Sequence, residues 1–385
     1  MKLLVIGVGD CGCRLAGEFA QLNKKAKAKR HVSIVSRAYA LNNTRESLAN
    51  FAKLGHEFVQ PVLIRGSLTG DAKSSEAGAK LMRQEYDRVL AGMRLGGFFE
   101  ADAFLFIAGA AGSIGSGGVP IIAQVLKERY VDKPIYALLI LPFDSESDDP
   151  RRLRNTATCL NAINQVADAS ILIDSGGVGV MGDFIPVENI ASVNKEIVTT
   201  FYDLLCAGEM DGQKNPGANV LDAGDIAQTM KGWTSIGVGT AKFADTGFSL
   251  FKSKDFRDKG SETIKVMEAM NSALVRLSID CKLENAGKAL YLLTVPAKLA
   301  NLDMVKALGT RLKELAPDAE IRGGSFYDYT NTVQVSVVVS ELIYVERIKS
   351  IYERAARTAE MPGRGAGEAE KKDSGRVRSL HEEKH

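Results

Sequence analysis

The sequence has almost no net charge. Its 49 Lys and Arg residues balance 47 Asp and Glu residues, leaving +2 over 385 residues. Bulk charge therefore gives no argument for a nucleic-acid partner or an anionic membrane surface. Histidine is scarce, at four residues, and the five cysteines (Cys11, Cys13, Cys159, Cys206 and Cys281) are odd in number and scattered. A metal site would need more Cys or His at suitable spacing, so reduced thiols are expected rather than a metal centre or a disulfide framework. No secretory signal is evident, because Met1-Lys2 leads directly into an apolar run, and a cytoplasmic protein is the expectation. The P-loop string G-x-x-x-x-G-K-[ST] does not occur. Ala103–Leu126 lacks charged residues and is long enough to cross a bilayer, but glycines, two serines and Pro120 interrupt it. It reads as a buried strand, a loop and a helix start, so no membrane span is expected.

Two glycine-rich turns stand out instead. Gly7-Val8-Gly9-Asp10-Cys11-Gly12 follows the apolar run Leu3–Ile6, and Gly109–Gly118 follows Ala103–Ala108. Each precedes a helix candidate. Glycine lets backbone N–H groups approach an anion closely, and a helix N-terminus adds partial positive charge. Two such turns in one domain can grip a nucleotide's phosphates from both sides. On the residues alone, Cys11 and Cys13 read as small side chains filling a tight turn.

The first two-thirds of the chain alternate strand and helix signals. Strand candidates are Lys2–Ile6, His31–Val35, Ala103–Ala108, Ile135–Leu141 and Ser170–Ile173; helical stretches include Arg14–Leu22, Ser75–Met93, Val119–Tyr130 and Arg152–Val166. This predicts an α/β domain with a parallel sheet covered on both faces, and ligands beyond the strands' carboxyl ends. Ile190–Cys206 then reads as one long helix with Ile190, Val193, Ile197, Phe201, Leu204 and Leu205 on one face. The loop Gly208–Gly217 follows. Thr234–Phe243, Glu262–Leu277, Ala289–Thr294, Asp303–Leu315 and Val333–Val337 predict a second, smaller α+β domain. Glu341–Glu360 reads as a last helix, and the polar segment Arg364–His385 as a disordered tail.

Gly7-x-Gly-x-x-Gly12 after a first strand also matches a dinucleotide fingerprint. That reading needs an acidic residue where the second strand ends, and Val35-Ser36-Arg37 offers none. Arg37 suits a 2′-phosphate, which keeps an NAD(P)-dependent oxidoreductase as a minor alternative. It leaves the Gly109–Gly118 turn unused.

The string Gly109-Ala-Ala-Gly-Ser-Ile-Gly-Ser-Gly-Gly118 resembles the G-G-G-T-G-S-G signature loop of the tubulin and FtsZ superfamily, in register over residues 2 to 345. Val193–Phe201, Ala207-Gly-Glu209, Tyr136–Pro142 and Val220-Leu-Asp222-Ala-Gly-Asp225-Ile226 look most like its archaeal tubulin-like CetZ group. The resemblance implies a GTP-binding domain (1–189), a central core helix (190–206), a catalytic loop and linking helix (207–233), an activation domain (234–345), and a C-terminal helix and tail (346–385). It implies GTP or GDP with Mg²⁺, and a head-to-tail homopolymer with GTP between subunits. A role in cell shape, possible placement at the cell cortex and a tail-binding partner are further implications.

By the same resemblance, Gly9, Asp10, Cys11, Gly12 and Cys13 hold the phosphates from one side, and Ala111, Gly112, Ser113, Ile114, Gly115 and Ser116 from the other. Asn42 matches the Asn of a second phosphate-side loop, and Gly70–Ser75 falls where the γ-phosphate-sensing loop belongs. Glu146 and Arg152 align with a ribose-side pair across an insertion, and Asn194 with the residue that reads the guanine edge, although a helix cap explains it too. Asp222 and Asp225, spaced i, i+3, share one side of a helical turn. On spacing alone they read as helix capping; the resemblance makes them catalytic carboxylates that polarise water on the neighbour's nucleotide.

The chain departs from the family at Ile114, where a Thr hydroxyl is replaced by an apolar chain, and Ser113 stands where a Gly is usual. The base-side Asn falls at Asp174-Ser175, and Ile190 replaces an aromatic. The Asn preceding the acidic pair falls at Val220, with Asn219 one position early. The expectation is retained nucleotide binding with slow hydrolysis. The competing reading is a nucleotide-stabilised scaffold with little or no turnover.

Overall fold

The computed structural model describes residues 1–53, 59–93, 96–144, 146–174, 190–207, 221–242, 256–296, 302–328 and 332–360. The expectations for Ser175, Gly208–Gly217, Asn219, Val220 and the tail Arg364–His385 lie outside these residues.

The first half alternates strands and helices: β1 (Leu3–Val8), α1 (Gly9–Arg30), β2 (Val35–Asn42), α2 (Arg45–Lys53), β3 (Gln60–Leu63), α3 (Ser75–Gly92), α4 (Gly96–Glu100), β4 (Ala103–Gly109), α5 (Ser113–Arg129), β5 (Ile135–Leu141), α6 (Pro150–Asn164) and β6 (Ala169–Asp174). Then come α7 (Ile190–Ala207), α8 (Ala223–Thr229), β7 (Gly232–Lys242), α9 (Phe256–Val275), β8 (Lys288–Pro296), α10 (Leu302–Leu315), β9 (Glu320–Asp328), β10 (Thr332–Ser340) and α11 (Glu346–Glu360). The strands form one ten-stranded sheet in the order β3-β2-β1-β4-β5-β6-β7-β10-β8-β9. From β3 to β7 every neighbouring pair is parallel. Beyond β7, β10 runs antiparallel to both β7 and β8, and β9 runs parallel to β8. The second domain is therefore grafted onto the edge of the first sheet through β7.

Burial explains the sequence pattern. Every residue of β1 is buried, so the strand reads as a continuous apolar run rather than an alternation. Its side chains still divide by face. Leu4, Ile6 and Val8 pack with Leu81, Val119 and Leu160, whereas Leu3 and Val5 pack with Leu15, Phe19 and Val198. The core helix α7 lies against α1, with Phe19 and Phe201 edge-to-face at 6.1 Å.

Several boundaries differ from expectation, and helices α1 and α5 start at Gly9 and Ser113 rather than at Arg14 and Val119. The second strand runs over Val35–Asn42, not His31–Val35, because α1 continues for 22 residues to Arg30. Asn23 fixes that junction: its Oδ1 accepts from the N–H of Ile34 (2.9 Å) and Val35 (3.1 Å), and its Nδ2 donates to Val35 O (3.1 Å). Arg37 then lies in the first half of β2, beside Leu4, and packs over Gly97. It is not at the ligand end, and β2 ends on Asn42 without an acid, so the oxidoreductase reading loses its remaining support. The last helix starts at Glu346 rather than Glu341, whose φ of 52° turns the chain. Strand β9 was not legible, since Arg322, Gly323 and Gly324 break its apolar pattern.

The first glycine turn is pressed onto the end of β4. A Cβ on Gly12 would lie 2.0 Å from the Ile107 carbonyl oxygen, and Gly9 has a φ of +73°. Gly12→Ala is expected to destabilise the protein by about 1–3 kcal/mol through overpacking, read as a lowered urea midpoint. An unchanged midpoint would contradict the close contact.

Candidate nucleotide site

Both glycine turns leave the carboxyl-terminal edge of the parallel sheet, where β1, β2, β4, β5 and β6 also end. In register, Val8 lies beside Leu41 and Ala108, Gly109 beside Ile140, and Leu141 beside Asp174. The turns face each other: a Cβ on Gly9 would sit 3.5 Å from the Gly115 nitrogen.

The helix caps separate these two turns from the others. Helix α3 is capped by Ser74, α6 by Asp149 and α8 by Asp222, each accepting from a first-turn N–H. Helices α1 and α5 begin at Val8 and Gly112 without a side-chain cap. The first-turn N–H groups of a helix have no intrahelical acceptor. Two opposed helix starts therefore present donors to one gap, a natural seat for phosphate.

The predicted phosphate-side residues gather here. Asn42 is buried and donates to Asp10 Oδ1 at 2.7 Å, joining the end of β2 to the first turn of α1. Cys11 packs against Gly109. The Cys13 thiol is buried and donates to Leu41 O at 3.4 Å, so Cys13 offers a ligand only its backbone. Burial pushes the Cys11 thiol up to about 11, those of Cys159 and Cys281 up to about 12, and that of Cys13 higher still. In the second turn Ala111, Gly112 and Ser113 are at least partly exposed, while Gly115 and Ser116 are buried. Ile114 is 7% exposed and joins the core, so its side chain faces away from a ligand.

Asn155 was missed from the sequence. It is buried on α6, where its Oδ1 accepts from Ser75 N–H (2.8 Å) and its Nδ2 donates to Lys73 O (2.8 Å) and Ala111 O (3.0 Å). One amide thus ties the loop before α3 to the second glycine turn. The available signal was a polar residue among the buried positions of an amphipathic helix (Leu153, Thr156, Cys159, Leu160). A cleft of about 580 Å³ opens beside this tie, lined by Gly70, Asp71, Ser74, Lys80, Arg151 and Arg154 among others.

Glu146 and Arg152, the expected ribose-side pair, form an ion pair with each other, and Glu146 Oε2 accepts from Phe143 N–H. Helix α11 braces the loop that carries Glu146. Arg347 pairs with Asp144 (2.6 Å) and Asp174 (3.4 Å) and donates to Pro142 O (3.0 Å). Asp174, at the family's base-side position, is thereby engaged by an arginine. Asn194 lies near the start of α7, and its side chain is outside the described residues.

Asp222 and Asp225 sit elsewhere. They form a reciprocal capping box: Asp222 Oδ1 accepts from Asp225 N–H (2.8 Å), and Asp225 Oδ2 from Asp222 N–H (3.1 Å). Arg322 donates to Asp225 Oδ1 at 2.5 Å. Helix α8 leads into β7, whose first residue, Gly232, pairs with Ala169 at the amino-terminal start of β6. The acidic pair is therefore at the opposite edge of the sheet from the glycine turns. Six residues of β6 separate the edges, about 20 Å at ~3.3 Å per residue. Among the described residues, no group of three His, Cys, Asp or Glu side chains is placed to hold a metal, and no helix is long and apolar enough to cross a membrane.

This architecture has known counterparts. Residues 2–176 match the Tubulin/FtsZ family, GTPase domain, which defines the class of protein as the tubulin/FtsZ superfamily. Residues 187–357 match the tubulin-like CetZ C-terminal domain. The chain is 27% identical over 376 residues to the tubulin-like protein CetZ1 of Haloferax volcanii, covering 92% of each. It superposes on a GDP-bound monomer of that protein with a TM-score of 0.75 at 25% identity, covering 93% of this chain and all of the other. A GTPγS-bound protofilament of CetZ2 from the same organism gives a TM-score of 0.73 at 22% identity, covering 94% of this chain and 99% of the other. The chain belongs to the CetZ group of the superfamily.

The thiols provide a check on the turn. Because Cys11 titrates near 11, it is a neutral thiol at pH 7 and gains thiolate as pH rises. Its alkylation, followed by mass mapping on the native protein, is expected to be slow at pH 7 and to quicken by roughly tenfold per pH unit toward 9. Fast, pH-independent labelling at neutral pH would contradict the buried turn.

Proposed function

We propose that the chain is a cytoskeletal GTPase that binds GTP at the glycine-turn edge and polymerises head to tail, each subunit completing its neighbour's site. One observation carries this reading: the acidic pair and the phosphate seat lie at opposite edges of a single sheet. Asp222 and Asp225 are about 20 Å of strand from their own subunit's seat. Stacking copies along the strand direction brings one subunit's α8 onto the next subunit's seat. Two relatives, a GDP-bound CetZ1 monomer and a GTPγS-bound CetZ2 protofilament, support the ligand and the assembly.

The residues take distinct parts. Backbone N–H groups of Gly9–Cys13 and Ala111–Ser116 hold the phosphates, with Asn42 fixing Asp10 at their margin. Glu146 and Arg152 meet the ribose, and Asn194 reads the guanine edge. Asp222 and Asp225 of the adjoining copy orient a water toward the γ-phosphorus. Its oxygen forms the new bond, and the bond to the β-phosphate bridge breaks. GDP leaves with the electron pair, and the water's proton goes to the released phosphate. Mg²⁺, when bound, neutralises phosphate charge. Asp10, in the first turn of α1, would be the carboxylate to meet the ion beside the phosphates. Slow turnover belongs to the same proposal, since position 114 offers the phosphates no hydroxyl and its side chain lies in the core.

The domain division, a role in cell shape and a partner for the tail belong to the same proposal. A scaffold without useful turnover is the second reading. It is favoured by the capping box, which engages both carboxylates in helix structure.

Turnover per subunit is expected to rise with protein concentration through the assembly range, and Asp225→Ala to lower it by at least about 10²-fold while GTP still binds. A rate per subunit that stays flat would refute the shared site. GDP in freshly purified protein supports the enzyme; intact GTP after long incubation under polymerising conditions supports the scaffold.

A further inference from the structure

Strand β9 brings one cation to the acidic pair. Arg322 reaches from β9 to α8, with Nη1 on Asp225 Oδ1 (2.5 Å) and Nη2 on Gln228 Oε1 (2.5 Å) and Glu320 Oε1 (2.7 Å). Both ends of the Asp225–Arg322 pair are partly accessible, at 28% and 25%. The carboxylate is thus gripped from two sides. Oδ2 takes the Asp222 N–H of the capping box, and Oδ1 takes the guanidinium. A carboxylate offers about four acceptor sites, so these two bonds fix its plane and still leave lone pairs for a water. Gln228 and Glu320 hold the guanidinium in turn. Arginine suits this place because its planar fork satisfies three acceptors in one fixed geometry, which an ammonium cannot.

A capping box alone needs no arginine, and an exposed ion pair contributes little stability. The arrangement instead specifies one orientation of one carboxylate on the face that meets the next subunit. We propose that Arg322 is the positioning residue for Asp225, fixing the carboxylate that aims the attacking water across the seam. This rests on the shared-site reading above. In the hydrolysis step Arg322 exchanges no proton and forms no covalent bond. It acts through Asp225, holding in place the oxygens that accept from the water as its oxygen bonds to the γ-phosphorus and the bridge to GDP breaks.

The test uses the full chain and three variants, Arg322→Ala, Arg322→Lys and Asp225→Ala. Filaments are sedimented with GTP and with a slowly hydrolysed analogue, and turnover is expressed per pelleted subunit at saturating GTP. Arg322→Ala is expected to lower turnover by about 10–100-fold, the scale of a misaimed catalytic group, with the GTP concentration for half-maximal rate and analogue-driven sedimentation unchanged. Arg322→Lys is expected to recover part of that rate. Unchanged turnover in Arg322→Ala would overturn the proposal, as would a faster one. Loss of sedimentation with the analogue would also overturn it, by making Arg322 a docking contact. Asp225→Ala separates the two claims. If it keeps full turnover, the shared-site reading fails; if it is inactive while Arg322→Ala is normal, only the role of Arg322 fails.

Discussion

The close backbone contact between the two glycine turns governs the rest of the molecule. Gly9 faces Gly115, and Gly12 lies against the carbonyl of Ile107, because no side chain stands between them. That contact aligns the uncapped starts of α1 and α5. At Gly12 a side chain would collide with the Ile107 carbonyl and push α1 off β4, whereas at Gly9 the φ of +73° disfavours one. The parallel sheet beneath, buried on both faces, supplies the rigidity that keeps them opposed.

The same sheet carries the information for assembly. A parallel strand has two unlike ends, and this chain places uncapped glycine turns at the carboxyl edge and an acidic capping box at the amino edge. Strand β7 joins the two domains in one continuous sheet, so the edges keep a fixed separation. A face that bears an anion seat and an opposite face that bears carboxylates are suited to repeat head to tail. The bracing of the sugar-side loop by Arg347 ties this edge to the last helix as well. Arg347 and Asp174 are both largely buried there, so each charge lies beside an opposite one.

Much of this was legible in the chain. The apolar runs of β1, β4 and β5 announced buried parallel strands, and the glycine turns marked the two uncapped helix starts. Glu146 and Arg152 are brought into contact across the insertion between them, and their part at a ribose stays with the proposal. What was not legible depended on long-range packing. Asn155 is an ordinary polar residue until three backbone groups converge on it from two other loops. Arg322 sits in a strand whose glycines hide its period, and its partner is 97 positions away. The second strand was misplaced because the Lys- and Ala-rich end of α1 has no stop signal before His31, whose φ of 56° ends the helix. Ile114 brings no hydroxyl to the turn, and the sequence did not show that its side chain fills the core.

The central claim is that a purine triphosphate lies at the seam of two copies. Imaging a filament assembled with a slowly hydrolysed GTP analogue tests it most directly. The account predicts nucleotide density between Gly9–Gly12 and Gly112–Ser116 of one subunit, with the acidic pair of the next subunit facing the γ-phosphate. Nucleotide enclosed wholly within one subunit, or an α8 directed away from the seam, would contradict it.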